Sequence, residues 1–134
     1  MPKRTLKRFF EPRSVAVIGA SATAGRPGRV VIENMRANGY AGDIYPVNPR
    51  GGRLLGLKVV KAIDELPRGI DLAIVILSAQ ATPQAVRDCA ARKIGSTVLV
   101  AGGFAEVDHA GEHLQAELAH AADETGVRVL GPNT

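Results

Sequence analysis

A glycine-rich stretch near the amino end, VAVIGASATAGRPGRVV at residues 15–31, contains the residue types that hold a phosphate group. An apolar β-branched run precedes it and a helical pattern follows, so the free N–H groups and positive dipole end of that helix face the loop. Gly19 permits a tight turn, and Gly25 and Gly28 let the backbone bend around a guest. The Ser21 hydroxyl adds a donor. The stretch predicts a phosphate site; a structural turn without a ligand is the alternative.

The loop departs from the dinucleotide fingerprint, which is G-x-G-x-x-G with an acidic residue about 20 positions later that holds a ribose hydroxyl. Here the turn reads Gly19-Ala20-Ser21, so the second glycine is missing. The second strand ends at Pro49 without a carboxylate, and Arg50 follows it directly. An arginine at this point favours an anion such as a ribose phosphate, so NADP stays open. The absence of G-K-[ST] excludes a Walker A loop.

No group of residues is suited to catalysis. His109, His113 and His120 fall within an arc of about 40° on one helix face, and a pair spaced i, i+4 can bind zinc. Leu114 lies nearly opposite, so the histidines are interpreted as a solvated stripe. We find no nucleophile–base pair. The sequence therefore predicts neither a catalytic residue nor a metal site in this chain.

Composition fits one globular domain: 134 residues, 46% apolar, 4% aromatic and no tryptophan. Cys89 is the one cysteine, which excludes an internal disulfide and a cysteine-based zinc site and fits a reducing cytoplasm, the predicted location. The sequence contains no apolar run of about 18 residues, so no membrane span is predicted. The net charge of +4 comes largely from a basic lead-in arm, residues 1–12, which lacks any nucleic-acid-binding motif. We predict no membrane or nucleic-acid partner.

Five apolar runs alternate with helical patterns, which predicts an α/β domain with a mainly parallel sheet and right-handed crossovers. We predict a Rossmann-like five-stranded sheet in the order 3-2-1-4-5, with helices on both faces. Residues 51–69 are predicted to be irregular, with a short helix at 61–66. Thr82 is the predicted N-cap of a helix whose inner stripe includes Cys89 as a packing residue. The predicted strands are residues 14–20, 43–49, 71–78, 96–102 and 127–131.

Five segments in order, FFEPRSVAVIGAS, GDIYPVNP, DLAIVIL, GGFAE and GVRVLGPN, resemble the CoA-binding domain of NDP-forming acyl-CoA synthetases. That domain is similar to the amino-terminal part of the succinyl-CoA synthetase alpha subunit, and it also precedes some acyl-CoA-dependent protein lysine acetyltransferases. The resemblance covers nearly the whole chain, residues 6–133. It implies that residues 1–134 are a single CoA-binding domain, the amino-terminal domain of a longer protein.

The resemblance implies a CoA site at the carboxyl ends of the strands, where open α/β sheets bind ligands. Gly19, Ala20 and Ser21 resemble the pyrophosphate-binding turn. Gly25 and Arg26 belong to the loop that follows, which is longer here than in the succinyl-CoA enzymes. All five are candidate CoA contacts.

Three further segments complete the set. Arg50, directly after Pro49, resembles the family's basic partner for the CoA phosphates or the adenosine end. The family's valine-proline-alanine segment after the third strand is matched by Leu77, Ser78 and Ala79, where serine replaces proline. The segment after the fourth strand, which is expected to pass the pantetheine arm, is matched by Ala101, Gly102 and Gly103.

The function implied is CoA recognition within an enzyme that converts acid, CoA and ATP to acyl-CoA, ADP and phosphate. The family's reaction passes through a phosphohistidine on another domain, so this chain by itself is predicted not to be catalytic. The expected partners are CoA or acyl-CoA and the downstream synthetase domains. Two alternatives stay open: a regulatory CoA-sensing domain of a fused acetyltransferase, and an NAD(P)-binding domain.

Overall fold

In a computed structural model, the described residues are 11–100 and 109–130. Five strands form one sheet in which every neighbouring pair is parallel, which confirms the predicted α/β class. Two short strands form a separate antiparallel hairpin. In chain order the strands are β1 (Ser14–Ile18), β2 (Asp43–Val47), the hairpin strands β3 (Arg53–Leu54) and β4 (Leu57–Lys58), then β5 (Leu72–Val75), β6 (Ser96–Leu99) and β7 (Arg128–Leu130).

Helices cover both faces of the sheet, as predicted. Helix α1 (Pro27–Ala37) packs its buried Ile32 against one face, where the core also contains Val15 and Val17. Helices α2 (Thr82–Ala91) and α3 (His109–Thr125) pack against each other on the opposite face, over Ala16 and Ile18. Alternate residues of β1 therefore enter different cores, as the period of two along a strand requires. None of the helices in the described part of the chain is long and apolar enough to cross a membrane.

The predicted strand order is wrong. The prediction placed the third strand outside the second, whereas the observed order is β2-β1-β5-β6-β7. Val60 occupies the outer side of β2: its N–H donates to the Pro46 oxygen at 3.0 Å, and its carbonyl accepts from the Asn48 N–H at 2.9 Å. Pro46 also has no N–H to offer a further strand, which suits an edge position. After Val60 the chain therefore passes to the other side of β1, where β5 pairs.

The segment after β2 is more regular than predicted. It forms the β3–β4 hairpin around Leu55 and Gly56, both of which have positive φ, as the favoured two-residue hairpin turn requires. Leu55 tolerates this backbone because its side chain packs against the core on the α1 face and its carbonyl accepts from the Arg36 guanidinium at 2.5 Å. The short helix predicted at 61–66 is a single 3₁₀ turn, Ile63–Glu65.

Thr82 is not the N-cap of its helix. A 3₁₀ turn, Ala79–Ala81, leads directly into α2, so Thr82 is the first helical residue and already has αR backbone angles. Its buried hydroxyl donates to the Ser78 oxygen at 2.9 Å, one turn earlier. The helix therefore begins one residue earlier than predicted, at Thr82 and not at Pro83, because the preceding 3₁₀ turn continues directly into it.

Cys89 is a packing residue, as predicted. Its side chain is fully buried in the core between the sheet and helices α2 and α3. Burial, with a smaller contribution from Asp88, raises the pKa of the thiol from 9.0 to about 12. The folded state therefore keeps the thiol protonated at pH values at which the unfolded chain ionises.

This difference predicts a loss of stability at alkaline pH. The unfolded thiol releases its proton above about pH 9 and the native thiol does not, so the free energy of unfolding falls as pH rises. Between pH 8 and pH 10 we expect the wild type to lose about 1.4 kcal/mol more than Cys89→Ala, measured by urea unfolding under reducing conditions. Equal losses in the two proteins would show that the thiol ionises as readily in the fold as outside it.

Candidate functional site

A cavity of about 580 Å³ opens at the carboxyl ends of β1, β2 and β5. These strands are the ones around the point where the connections leave β1 and β5 in opposite directions, the usual ligand crevice of open parallel sheets. The cavity is lined by the turn after β1, the start of α1, the segment around the hairpin, and the residues that follow β5. Three separate stretches of sequence, within residues 19–28, 48–59 and 76–78, therefore meet at one surface.

Close backbone contact between two glycines brings α1 against the end of β1. A Cβ on Gly28 would lie 2.1 Å from the Gly19 carbonyl oxygen, and a Cβ on Gly19 would lie 2.0 Å from the Ile76 carbonyl oxygen. Gly19 also has a φ of +96°, which other residues rarely adopt. The predicted importance of glycine at these two positions therefore has a geometric cause, since any side chain would force α1 or β5 away from β1.

The turn after β1 has amides available to an anion. The amides of Gly19 and Ala20 both donate to the Val47 carbonyl at 3.1 Å, which holds the start of the turn to β2. The Ser21 N–H is the first amide beyond them without an acceptor among the described residues. The Ser21 hydroxyl accepts from the Thr23 N–H at 3.1 Å.

The amino end of α1 is largely satisfied within the loop. Pro27, the first helical residue, has no N–H, and the Arg26 carbonyl accepts from Arg29 and Val30 at 2.9 and 3.0 Å. In the first turn as described, this leaves the Gly28 amide for a ligand. Arg29 holds the loop against the helix, because its guanidinium donates to the Ala22 oxygen at 2.7 Å and to the Glu33 carboxylate at 3.1 Å.

The charge of the lining is positive. Arg26, Arg50 and Arg53 line the cavity, and no acidic side chain is among the described residues around it. The Arg53 guanidinium donates to the Gly56 oxygen at 3.2 Å, which ties it to its own hairpin. Within the described part of the chain, the guanidinium groups of Arg26 and Arg50 have no partner. The arrangement suits a polyanionic ligand.

The cavity brings together seven of the thirteen residues that the sequence analysis proposed as contacts. These are Gly19, Ala20, Ser21, Arg26, Arg50, Leu77 and Ser78. Gly25 and Pro49 are exposed beside the cavity without lining it, and Ala79 is buried in the core on the α2 side. Ala101, Gly102 and Gly103 lie outside the described residues.

Sequence reasoning found Leu77 but missed most of the apolar lining. Leu54, Val59 and Ile76 all line the cavity, and Leu54 and Val59 are also part of the core on the α1 face. The signal available was the run RLLGLKVV, in which apolar residues flank a leucine–glycine turn. Asn48, whose side chain bonds to two of the loops, was also missed although it directly precedes the predicted Pro49 and Arg50.

A parallel α/β sheet with an arginine-lined cavity at its carboxyl edge defines a nucleotide-binding domain of the Rossmann-like class. Within that class, residues 13–134 match the family model described as CoA binding domain. The chain belongs to this family.

Individual relatives agree. The chain is 40% identical over 129 residues to an ADP-forming acetate–CoA ligase II from Archaeoglobus fulgidus, and 42% identical over 128 residues to a trans-feruloyl-CoA synthase from an unidentified prokaryote. It is also similar to the apo structure of a dinucleotide-forming acetyl-coenzyme A synthetase from Ca. Korarchaeum cryptofilum, with a TM-score of 0.89 and 34% identity. Each match covers 96% of this chain but only 19%, 18% and 28% of the respective relative.

The glycine contact predicts the effect of a single methyl group. Gly28→Ala should destabilise the domain by about 1–3 kcal/mol, because backbone atoms cannot rotate out of the way as a side chain can. Gly95→Ala is the matched control: its Cβ meets nothing within 4 Å and its φ is not positive, so its effect should stay within about 0.5–1 kcal/mol. Urea unfolding of both variants measures the difference, and equal stabilities would mean that α1 can move away from β1 without cost.

Proposed function

We propose that the cavity binds CoA through its phosphate-bearing adenosine end. The observation that supports this most directly is the convergence of Arg26, Arg50 and Arg53 on one cavity without an acidic residue among its described lining. CoA carries a pyrophosphate and a ribose 3′-phosphate, and a guanidinium can bind such a group through two charge-assisted hydrogen bonds. Membership of the CoA-binding family makes CoA the natural choice among polyanionic nucleotides.

The division of the cavity suggests how the parts of CoA are arranged. The Ser21 and Gly28 amides lie on the β1–α1 side and suit the pyrophosphate. Arg50 follows β2, on the side where the adenosine ribose of a Rossmann-like domain lies. Leu54 and Val59 provide an apolar surface beside it that suits the adenine ring.

A nicotinamide dinucleotide fits this site less well. The turn lacks the second glycine of the dinucleotide fingerprint, and among the described lining residues no carboxylate is available to accept from ribose hydroxyls. Binding of CoA and of NADPH can be compared in one assay to distinguish a CoA site from an NADP site. Both ligands carry a ribose phosphate and a pyrophosphate, so a difference in affinity does not come from these groups merely being present.

We propose further that the chain is the CoA-recognition domain of an ADP-forming acyl-CoA synthetase, with the regulatory role in an acetyltransferase as the lesser alternative. The support is that the relatives compared are CoA ligases or synthetases and are several times longer than this chain. Two of them act on acetate and on ferulate, yet match this chain about equally well at 40% and 42% identity. The similarity to these relatives therefore does not favour either acid as the substrate.

The arginine at the end of β2 gives a specific prediction. Arg50→Ala should weaken CoA binding about tenfold, because one charge-assisted contact to the 3′-phosphate is lost. It should leave binding of dephospho-CoA, which lacks that phosphate, nearly unchanged. Isothermal titration calorimetry of both proteins with both ligands measures the effect, which should shrink as salt is added.

Arg68→Ala is the control for a general loss of positive charge. Arg68 is exposed, precedes β5 at the opposite end of the sheet and does not line the cavity, so its removal should change neither affinity appreciably. If Arg50→Ala weakens CoA and dephospho-CoA equally, Arg50 does not recognise the 3′-phosphate, and Arg26 and Arg53 become the candidates to test.

The isolated chain should bind CoA without making acyl-CoA. The cavity supplies groups that hold a ligand, while the resemblance implies that the phosphohistidine of the reaction lies on another domain. Incubation of the purified 134-residue chain with acetate or ferulate, ATP and CoA should therefore give no acyl-CoA by chromatography. Turnover that disappears in Gly28→Ala would contradict this assignment of roles.

A further inference from the structure

Asn48 uses its side chain to join two loops of the cavity. Its Nδ2 donates to the Ala20 carbonyl at 2.7 Å, and its Oδ1 accepts from the Arg50 N–H at 2.8 Å. The side chain is half-buried, and Asn48 lines the cavity. One amide group therefore links the turn after β1 to the segment that carries Arg50.

The bond to Ala20 determines how the next peptide group is oriented. In a planar trans peptide the C=O and the following N–H point in opposite directions. The Ala20 carbonyl is held by Asn48, so the Ser21 N–H points away from Asn48. The amides of Gly19 and Ala20 both donate to the Val47 carbonyl, so the Ser21 amide is the first one on this turn without an acceptor among the described residues.

We propose that Asn48 is a positioning residue for anion binding: it keeps the Ala20–Ser21 peptide in the orientation that offers the Ser21 N–H to the ligand pyrophosphate. This inference rests on the proposed binding of CoA. Its donor capacity is the essential property, because an acceptor at the same place would repel the Ala20 carbonyl and favour the flipped peptide. Asparagine supplies that donor towards Ala20 and an acceptor towards Arg50 in the same group.

The role is distinct from that of Arg50. Arg50 is proposed to recognise the 3′-phosphate, which dephospho-CoA lacks, whereas the Ser21 amide is proposed to contact the pyrophosphate, which both ligands carry. Loss of Asn48 should therefore weaken dephospho-CoA as well as CoA. Dephospho-CoA is the ligand that separates the two residues.

The test compares Asn48→Leu with the wild type by calorimetric titration of CoA and dephospho-CoA. We expect both ligands to bind about tenfold more weakly to Asn48→Leu, the effect of one lost hydrogen bond to a charged group. Asn38→Leu is the matched control, because Asn38 also donates from Nδ2 to a backbone carbonyl, that of Asn34 at 2.8 Å, but at the far end of α1. Its affinities should stay within twofold of the wild type.

Amide NMR spectra provide a readout that a general loss of stability would not reproduce. In the wild type, the Ser21 amide proton signal should move strongly when dephospho-CoA is added, and in Asn48→Leu it should not. If Asn48→Leu does not fold, Asn48→Asp serves instead: it retains an acceptor for the Arg50 N–H and removes the donor to Ala20. Absence of a Ser21 shift in the wild type overturns the inference without any variant.

The remaining outcomes are equally decisive. If folded Asn48→Leu binds dephospho-CoA as tightly as the wild type does, the positioning role is overturned, whether or not its affinity for CoA falls. The proposed function, binding of CoA in this cavity, is not contradicted by that result. A wild-type chain that binds neither ligand overturns the proposed function and this inference together.

Discussion

The packing of backbone against backbone at the end of β1 is the contact on which the site depends. Gly19 lies between the β5 chain at Ile76 and the first turn of α1 at Gly28, with no room for a side chain on either glycine. This contact brings the amino end of α1 to the carboxyl ends of β1 and β5. The start of α1 can line the cavity because Gly28 lets the helix lie directly against the backbone at the end of β1.

The arginines in the described part of the chain include two groups with different tasks. The guanidinium groups of Arg29, Arg36 and Arg92 donate to backbone carbonyls and hold a loop, the hairpin and the segment before β5, respectively. Those of Arg26 and Arg50 line the cavity without a partner in the described part of the chain. Because backbone bonds and structural arginines already hold the loops in place, the second group is free to bind an anion.

The sequence predicted the elements well because their signals are local. Apolar runs marked all five strands of the sheet, and the glycine spacing marked the turn before α1. The first three predicted strands ran two or three residues too far at their carboxyl ends, for example to Ser78 where β5 ends at Val75. After β5 the apolar run continues through Ile76 and Leu77, which have left the sheet and line the cavity.

The strand order was wrong because pairing between distant segments has no local signal, although Pro46 within β2 did favour an edge position. The hairpin was missed because its strands are two residues each, too short for a periodic pattern. Within the site, glycines and arginines could be found by residue type. Asn48 could not, because its role depends on two carbonyl and amide groups that only the fold brings together.

The closed outer edge of β2 limits how this domain can associate with copies of itself. An exposed edge strand has unpaired N–H and C=O groups with which a strand of another chain can pair. A sheet that continues through many subunits needs such an unpaired edge on both sides of each subunit. At the carboxyl-terminal half of β2, Pro46 offers no N–H and Val60 already uses the neighbouring carbonyl and amide. Another chain therefore cannot add a strand along this half of β2, because its hydrogen-bonding groups are either missing or already paired.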